Sequence, residues 1–184
     1  MKDEESLFPE LDVRFAKFWP RLGAAMIDGI LLAMIVMPVT YFNVIQWKIP
    51  LVFIVTSLLT ICYKPFLEYR FGATLGKMAV GIKVVGYRLQ KVSLKEVLRR
   101  VSFYLVPSIL QDLMNLKIYF SGDLASIKNF GDYNQDMISS NPAMVWLNFI
   151  VFGLLIADCI TFFTNYQNRS LHDLYAGTYV IEKY

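Results

Sequence analysis

The chain has 184 residues, 56% of them hydrophobic and only 18% charged, against about 45–50% and about 25% in an ordinary soluble domain. Its mean hydropathy is +0.45 and its formal net charge +3, which leaves no room for a large soluble domain beside a membrane part. One histidine and two separated cysteines cannot build a zinc site of about four ligands. No nucleophile–base pair is evident and no cofactor is implied, so the chain does not read as an enzyme.

The chain opens Met1-Lys2-Asp3-Glu4-Glu5, polar and acidic, without the apolar run of a cleaved signal peptide. Residues 1–17 are expected to form an N-terminal segment on the cytoplasmic side. Within it Val13–Trp19 alternates basic and aromatic residues and is expected at headgroup level, ahead of Pro20 in the first turn of a helix. Residues 18–184 then form the membrane domain. A bilayer core of about 30 Å needs roughly 20 mostly apolar helical residues. Helices are predicted over about 22–42, 49–67, 101–116 and 143–164, the third being short. An external loop over about 117–142 carries Asp123, Asp132 and Asp136, with Gly122, Gly131 and Ser139-Ser140-Asn141-Pro142, and has room for a short helix. Cys62 and Cys159 fall in apolar runs and read as small buried residues.

Lysine and arginine fix the orientation. Lys2, Arg14, Lys17 and Arg21 precede the first helix, nine cations lie from Lys64 to Arg100, and Arg169 and Lys183 follow the last helix. Fifteen cations thus share one side, against Lys48, Lys117 and Lys128 on the other. An odd number of helices would split the basic segments, which is the main reason to keep the third. Orientation accounts for the cations, and no nucleic-acid partner is expected.

Thr74–Val85 and Ser170–Ile181 form an internal repeat at an offset of 96, with Leu, Gly and Val identical at three positions. Each copy opens on an N-cap residue type and reaches a glycine seven residues later. The prediction is a short interfacial helix, a glycine stop and a short strand in each, the two strands pairing. The fold class is therefore an all-α membrane protein. It has four transmembrane helices as two helical hairpins, each followed by a short interfacial helix and strand on the cytoplasmic face. The repeat is parallel, because each half holds an even number of helices. Gly72–Met78 resembles a phosphate-binding loop only superficially: three residues separate its glycines, and Met78 replaces the magnesium-binding hydroxyl.

Acids inside a membrane cost roughly 2.5–3.5 kcal/mol each at the bilayer centre, so Asp28, Asp112 and Asp158 call for partners. Arg21 and Asp28 lie nearly two turns apart on one face, but helical side chains lean toward the N-terminus, so Arg21 is expected to meet a phosphate or another helix's carboxylate. Ala25, Gly29 and Ala33 form a small-residue stripe beside Asp28. Asp158, Thr161 and Asn165 make a polar face followed by Arg169, His172 and Asp173. Thr56, Thr60, Lys64 and Glu68 recur every four residues, and Tyr104, Ser108, Asp112 and Asn115 form an outer stripe. Two readings stay open. The stripes are helix–helix glue, or Asp28 and Asp158 line a path for cations or protons. His172 reads as a surface residue that could also relay protons.

Phe18-Trp19-Pro20-Arg21-Leu22-Gly23-Ala24-Ala25-Met26-Ile27-Asp28 resembles the opening signature of the RDD family of membrane proteins. Arg169-Ser170-Leu171-His172-Asp173-Leu174-Tyr175-Ala176-Gly177-Thr178 is similar to its closing motif, and Glu68–Val85 to its central one. The resemblance implies that Arg21, Asp28 and Asp173 are the arginine and two aspartates for which that family is named. It implies a small multi-spanning protein for which transport has been suspected, some members being linked to monovalent cation/proton exchange and others looking like accessory parts of membrane complexes. The expected ion or proton site is Arg21, Asp28, Asp158 and Asp173, supported by Glu68, Lys64, His172 and Arg169. Expected partners are the lipid bilayer, monovalent cations and protons, and a second copy or a membrane-complex partner. The expected location is a cell membrane, a prokaryotic inner membrane, with both termini cytoplasmic.

Overall fold

The computed structural model describes residues 13–121 and 127–182. Lys2, Gly122, Asp123 and Lys183 lie outside them, as do the side chains of Asp136 and Ser140. The elements are α1 (Phe18–Phe42), a π-helical turn (Asn43–Trp47), α2 (Pro50–Phe71), α3 (Leu75–Val80), β1 (Ile82–Val85), a 3-10 turn (Tyr87–Leu89), α4 (Leu94–Ser121), α5 (Phe130–Ser140), α6 (Pro142–Thr164), α7 (Leu171–Ala176) and β2 (Tyr179–Glu182). Among the described residues, three helical stretches are long and apolar enough to cross a membrane. They are Phe18–Trp47, Pro50–Phe71 and Pro142–Thr164, with mean hydropathies of 2.1, 1.7 and 2.1. Helix α4 is 28 residues long, well beyond the predicted 101–116. Gln111, Asp112, Asn115 and Lys117 make its apolar part less hydrophobic than those three.

Apolar side chains of these helices face outward: Met34, Leu59, Phe152 and Ile160 are each 59% exposed or more. The same outward preference corrects two sequence expectations. Cys62 and Cys159 are exposed rather than buried, since in a helix of this kind an apolar residue has no need of a protein core. Ala25 and Gly29 are also exposed, and it is Ala24, fully buried, that lies at the close helix contact.

The chain divides into two compact units. The first comprises residues up to Gly29, Lys64–Val101 and Ile156 onward; the second comprises Ile30–Tyr63 and Ser102–Leu155. In the second unit, Asn43 is buried and closes the turn ahead of α2. Its side-chain amide donates to the Ile49 carbonyl (3.1 Å) and the Tyr119 hydroxyl (3.1 Å), while its carbonyl accepts from the Ile49 amide (2.9 Å). Val44, Ile118, Tyr119, Ile127 and Tyr133 form an apolar cluster in the same unit. The short helix expected between the third and fourth predicted helices is present as α5, capped by Asn129 accepting from Asp132 N at 2.8 Å.

The first unit contains the repeat. β1 and β2 pair antiparallel, with Val84 opposite Val180. Those two residues are also equivalent in the repeat, at the offset of 96. The pairing therefore has a local two-fold axis through that residue pair. Backbone geometry follows the same offset. Gly72 (φ 73°) and Asn168 (φ 52°) are left-handed before the short helices, and Gly81 (φ 75°) and Gly177 (φ 71°) end them, as C-cap glycines do. Part of Val13–Trp19 runs alongside β2. Phe15 bridges to Ile181, and Ala16 N donates to the Val180 carbonyl at 2.9 Å. Ala16, Ala24, Ile82, Val84, Val92, Val97 and Val180 form the apolar core beneath this small sheet.

Helix α3 packs on α1 through Gly76. A Cβ there would lie 2.1 Å from the Ala24 carbonyl oxygen and 2.9 Å from Asp28 Cγ. Gly76→Ala is expected to destabilise the protein by about 1–3 kcal/mol or more, the usual cost of overpacking. Gly153→Ala, where a Cβ meets nothing within 4 Å, is expected to leave stability near wild type. Thermal unfolding of both variants in one detergent checks the contrast.

Candidate functional site

The short helices present backbone N–H groups that need acceptors. At α3, the Asp28 carboxylate accepts from Gly76 N (2.7 Å) and from the Thr74 hydroxyl (2.5 Å), while Thr74 Oγ1 accepts from Lys77 N (3.4 Å). At α7, Asp158 Oδ1 accepts from His172 N (3.1 Å). Gly76 and His172 are equivalent in the repeat. Each short helix thus offers its second amide to an aspartate from a long apolar helix. Ser170 and Asp173 complete a capping box on α7.

Behind these caps lies a buried charge cluster. Glu68 and Asp173 are completely buried. Glu68 pairs with Lys77 through Oε1, and with Arg100 at 3.4 Å through Oε2. Asp173 pairs with Arg21 at 2.5 Å and with Arg100 at 2.8 Å. Arg100 is 2% exposed and also donates to the Thr178 hydroxyl at 3.2 Å. One guanidinium therefore joins two buried acids from α2 and α7. Arg21 donates from Nε to the Ala16 carbonyl at 3.3 Å, and its guanidinium lies 5.2 Å from the centre of the Phe162 ring, a cation–π distance.

His172 is not the surface residue expected from sequence. Its Nδ1 lies 2.7 Å from Asp158 Oδ2, and its Nε2 lies 3.3 Å from Arg100 Nη2. An arginine only donates, so Nε2 accepts and Nδ1 carries the proton given to Asp158. Burial pushes the imidazole pKa down, against the pull of Asp173 and Asp158, which agrees with this neutral form. Arg169, 8% exposed, donates to the carbonyls of Thr178 (3.2 Å) and Asp173 (3.3 Å) and stacks 4.3 Å from the Tyr179 ring centre. It fastens α7 to β2.

The structure brings Arg21, Glu68, His172, Asp158 and Asp173 together in this cluster, and Asp28 stands at the α3 cap. Of the two partners left open for Arg21, a phosphate or another helix's carboxylate, the structure shows the carboxylate of Asp173. Lys64 acts on Glu68 through its charge. The sequence reading missed Arg100, Lys77, Thr74, Gly76 and Thr178. Several hydroxyls of the other stripes bond within their own helices. Thr56, Thr60, Ser108 and Thr161 each donate to the carbonyl four residues back in their own helix, a pattern that satisfies the hydroxyl locally. Asp112 is hydrogen-bonded by Ser57. Among the described residues, no group of three or more histidine, cysteine, aspartate or glutamate side chains is placed to hold a metal ion.

A helical protein of membrane type, with a knot of buried ion pairs at the ends of its long helices, is the class that this fold and site define. The model of the RDD family matches residues 15–177, and the chain belongs to that family. No curated protein and no solved structure matches it.

The cluster makes stability depend on pH. Burial alone would raise the Asp173 pKa, but the groups around it, Arg100 foremost and Arg21 among them, outweigh it and hold the carboxyl far below its ordinary value. The unfolded chain then takes up a proton near the usual carboxylate pKa of about 4 while the folded one does not. This stabilisation is complete above that pH and is lost as pH falls below it. Asp173→Asn is expected to be less stable than wild type at pH 7 and to lose stability less steeply toward pH 3. Lys77 works in the opposite direction. Burial, partly offset by Glu68, lowers its pKa to about 8, so its contribution improves as pH rises from there toward the ordinary lysine value of about 10.4. Lys77→Met is expected to abolish that alkaline gain. Denaturant unfolding across pH 3–10 checks both.

Proposed function

We propose that the chain is a four-span membrane protein with both termini in the cytoplasm, serving as a non-transporting accessory or assembly subunit of a membrane protein complex. The observation that carries this reading is that the protein's own groups already hold the acids the sequence offers for cation binding. Asp173 has two arginines, Glu68 has a lysine and an arginine, and Asp28 and Asp158 cap the short helices. Asp173 and Glu68 are already neutralised by paired cations, so an ion would have to displace those partners, and Asp28 and Asp158 have a structural use without one. The apolar windows of the three long helices are only 6%, 0% and 6% buried within the chain, leaving apolar surface for lipid and for helices of a partner. Helix α4, at 28 residues, is about 42 Å long, enough for a bilayer core. Counting it as a span keeps the fifteen cations on one side.

Cation/proton exchange is the second reading. It is favoured by Asp28 and Asp158, whose half-buried carboxylates accept hydrogen bonds from neutral donors: an amide and a hydroxyl at Asp28, an amide and an imidazole at Asp158. Reconstitution separates the two. On the subunit reading, vesicles holding the protein keep an imposed pH gradient when sodium, potassium or lithium is added, and Asp28→Asn lowers recovery of co-purifying membrane proteins. Dissipation of the gradient that disappears with Asp28→Asn establishes exchange instead. The topology is tested by thiol labelling in a background with Cys62 and Cys159 replaced. Lys128→Cys is expected to label from outside intact cells, and Lys91→Cys only after permeabilisation.

A further inference from the structure

The connection from β1 into α4 lies within the most basic stretch of the sequence. From Lys64 to Arg100 the sequence holds nine cations and two acids, an excess of seven. Both acids are engaged by the protein's own groups, Glu68 in its interior and Glu96 nearer the surface. Glu68 belongs to the buried cluster. Glu96 accepts from Ser93 N (2.7 Å) and Ser93 Oγ (2.8 Å), closing the N-terminus of α4. By contrast Arg88, Lys91, Lys95 and Arg99 are exposed.

Exposed apolar residues lie beside these cations. Tyr87, Leu94 and Leu98 are 50%, 51% and 47% exposed, while Val92, Val97 and Arg100 point inward. Leu94 and Leu98 are four residues apart, as are Lys95 and Arg99, so an apolar stripe and a basic stripe run side by side on the outward face of α4. Water alone does not favour two exposed leucines in this position. A lipid surface accepts both stripes, the leucines at the acyl boundary and the cations among the phosphates. Two of the cations rest on aromatic rings: the Arg88 guanidinium lies 5.6 Å from the Tyr87 ring centre, and Lys91 Nζ lies 5.6 Å from that of Tyr69.

We propose that Tyr87–Arg99 is a docking surface for the headgroups of anionic phospholipids. The proposal rests on reading this side of the chain as a membrane surface, which the thiol labelling above tests independently. The direct test uses the full-length protein in neutral detergent, with thermal unfolding followed as phosphatidylglycerol or phosphatidylcholine is added. The expected result is a larger rise in midpoint with phosphatidylglycerol, shrinking at high ionic strength, and no rise with inorganic phosphate. Arg88→Gln/Lys91→Gln/Lys95→Gln should lose most of the phosphatidylglycerol-specific rise while keeping the wild-type midpoint in phosphatidylcholine. If that variant folds poorly, Lys95→Gln alone should lose part of the rise. Equal rises from the two lipids, an equal rise from inorganic phosphate, or an undiminished response in both variants would overturn the proposal.

Discussion

Dehydrating two carboxylates is the constraint on which the rest of this structure depends. Removing a charge from water costs several kcal/mol even after relaxation, and only well-placed opposite charge and hydrogen bonds recover it. Glu68 and Asp173 are both fully buried, and Arg100 lies between them. Arg21 and Lys77 supply the remaining positive charge. The five groups come from α1, α2, α3, α4 and α7, so satisfying the charges fixes where those elements meet.

Around that knot the two copies of the repeat are organised alike. Each begins after a left-handed residue, ends at a left-handed glycine, and sends a strand into a shared ladder centred on Val84 and Val180. Each short helix has its second amide bound by an aspartate from a long helix. Six-residue helices have little stability alone, because nucleation is costly and few hydrogen bonds follow it. Caps from the long helices therefore hold them in place. They also give Asp28 and Asp158 a structural use that does not require an ion.

Much of this was legible in the sequence, and the misses have physical causes. The long helices were readable because an apolar run of bilayer length has few alternatives. The repeat was readable because N-cap types and C-cap glycines are local signals. Asp28, Asp158, Asp173, Glu68 and Arg21 stood out because acids in apolar surroundings demand partners. Arg100 did not stand out, being one of nine cations in a segment where orientation already explains them. Its selection depends on the inward face of α4, beside Val97 and Val101, which only tertiary packing defines. Gly76 was read as part of a failed phosphate loop, when its use is to let α3 reach the Ala24 carbonyl. Cys62 and Cys159 follow a rule for water-soluble cores when read as buried, and Ala25 and Gly29 follow the rule that small residues mark contacts between membrane helices. In long apolar helices the outward surface accepts such residues just as well.

Family membership places the chain among RDD proteins, and the arginine and two aspartates expected from that resemblance all belong to the capped and ion-paired region of the first unit. Their shared geometry makes them parts of one assembly, with Arg21 and Asp173 in direct contact. The central claim is that the buried charges act as a coupled unit. A double-mutant cycle on Arg100→Met and Asp173→Asn, read by denaturant unfolding at pH 7, tests it most directly. The account predicts that the double variant is clearly more stable than the sum of the two single losses implies, with a coupling of about 1–3 kcal/mol. Losses that simply add would contradict it.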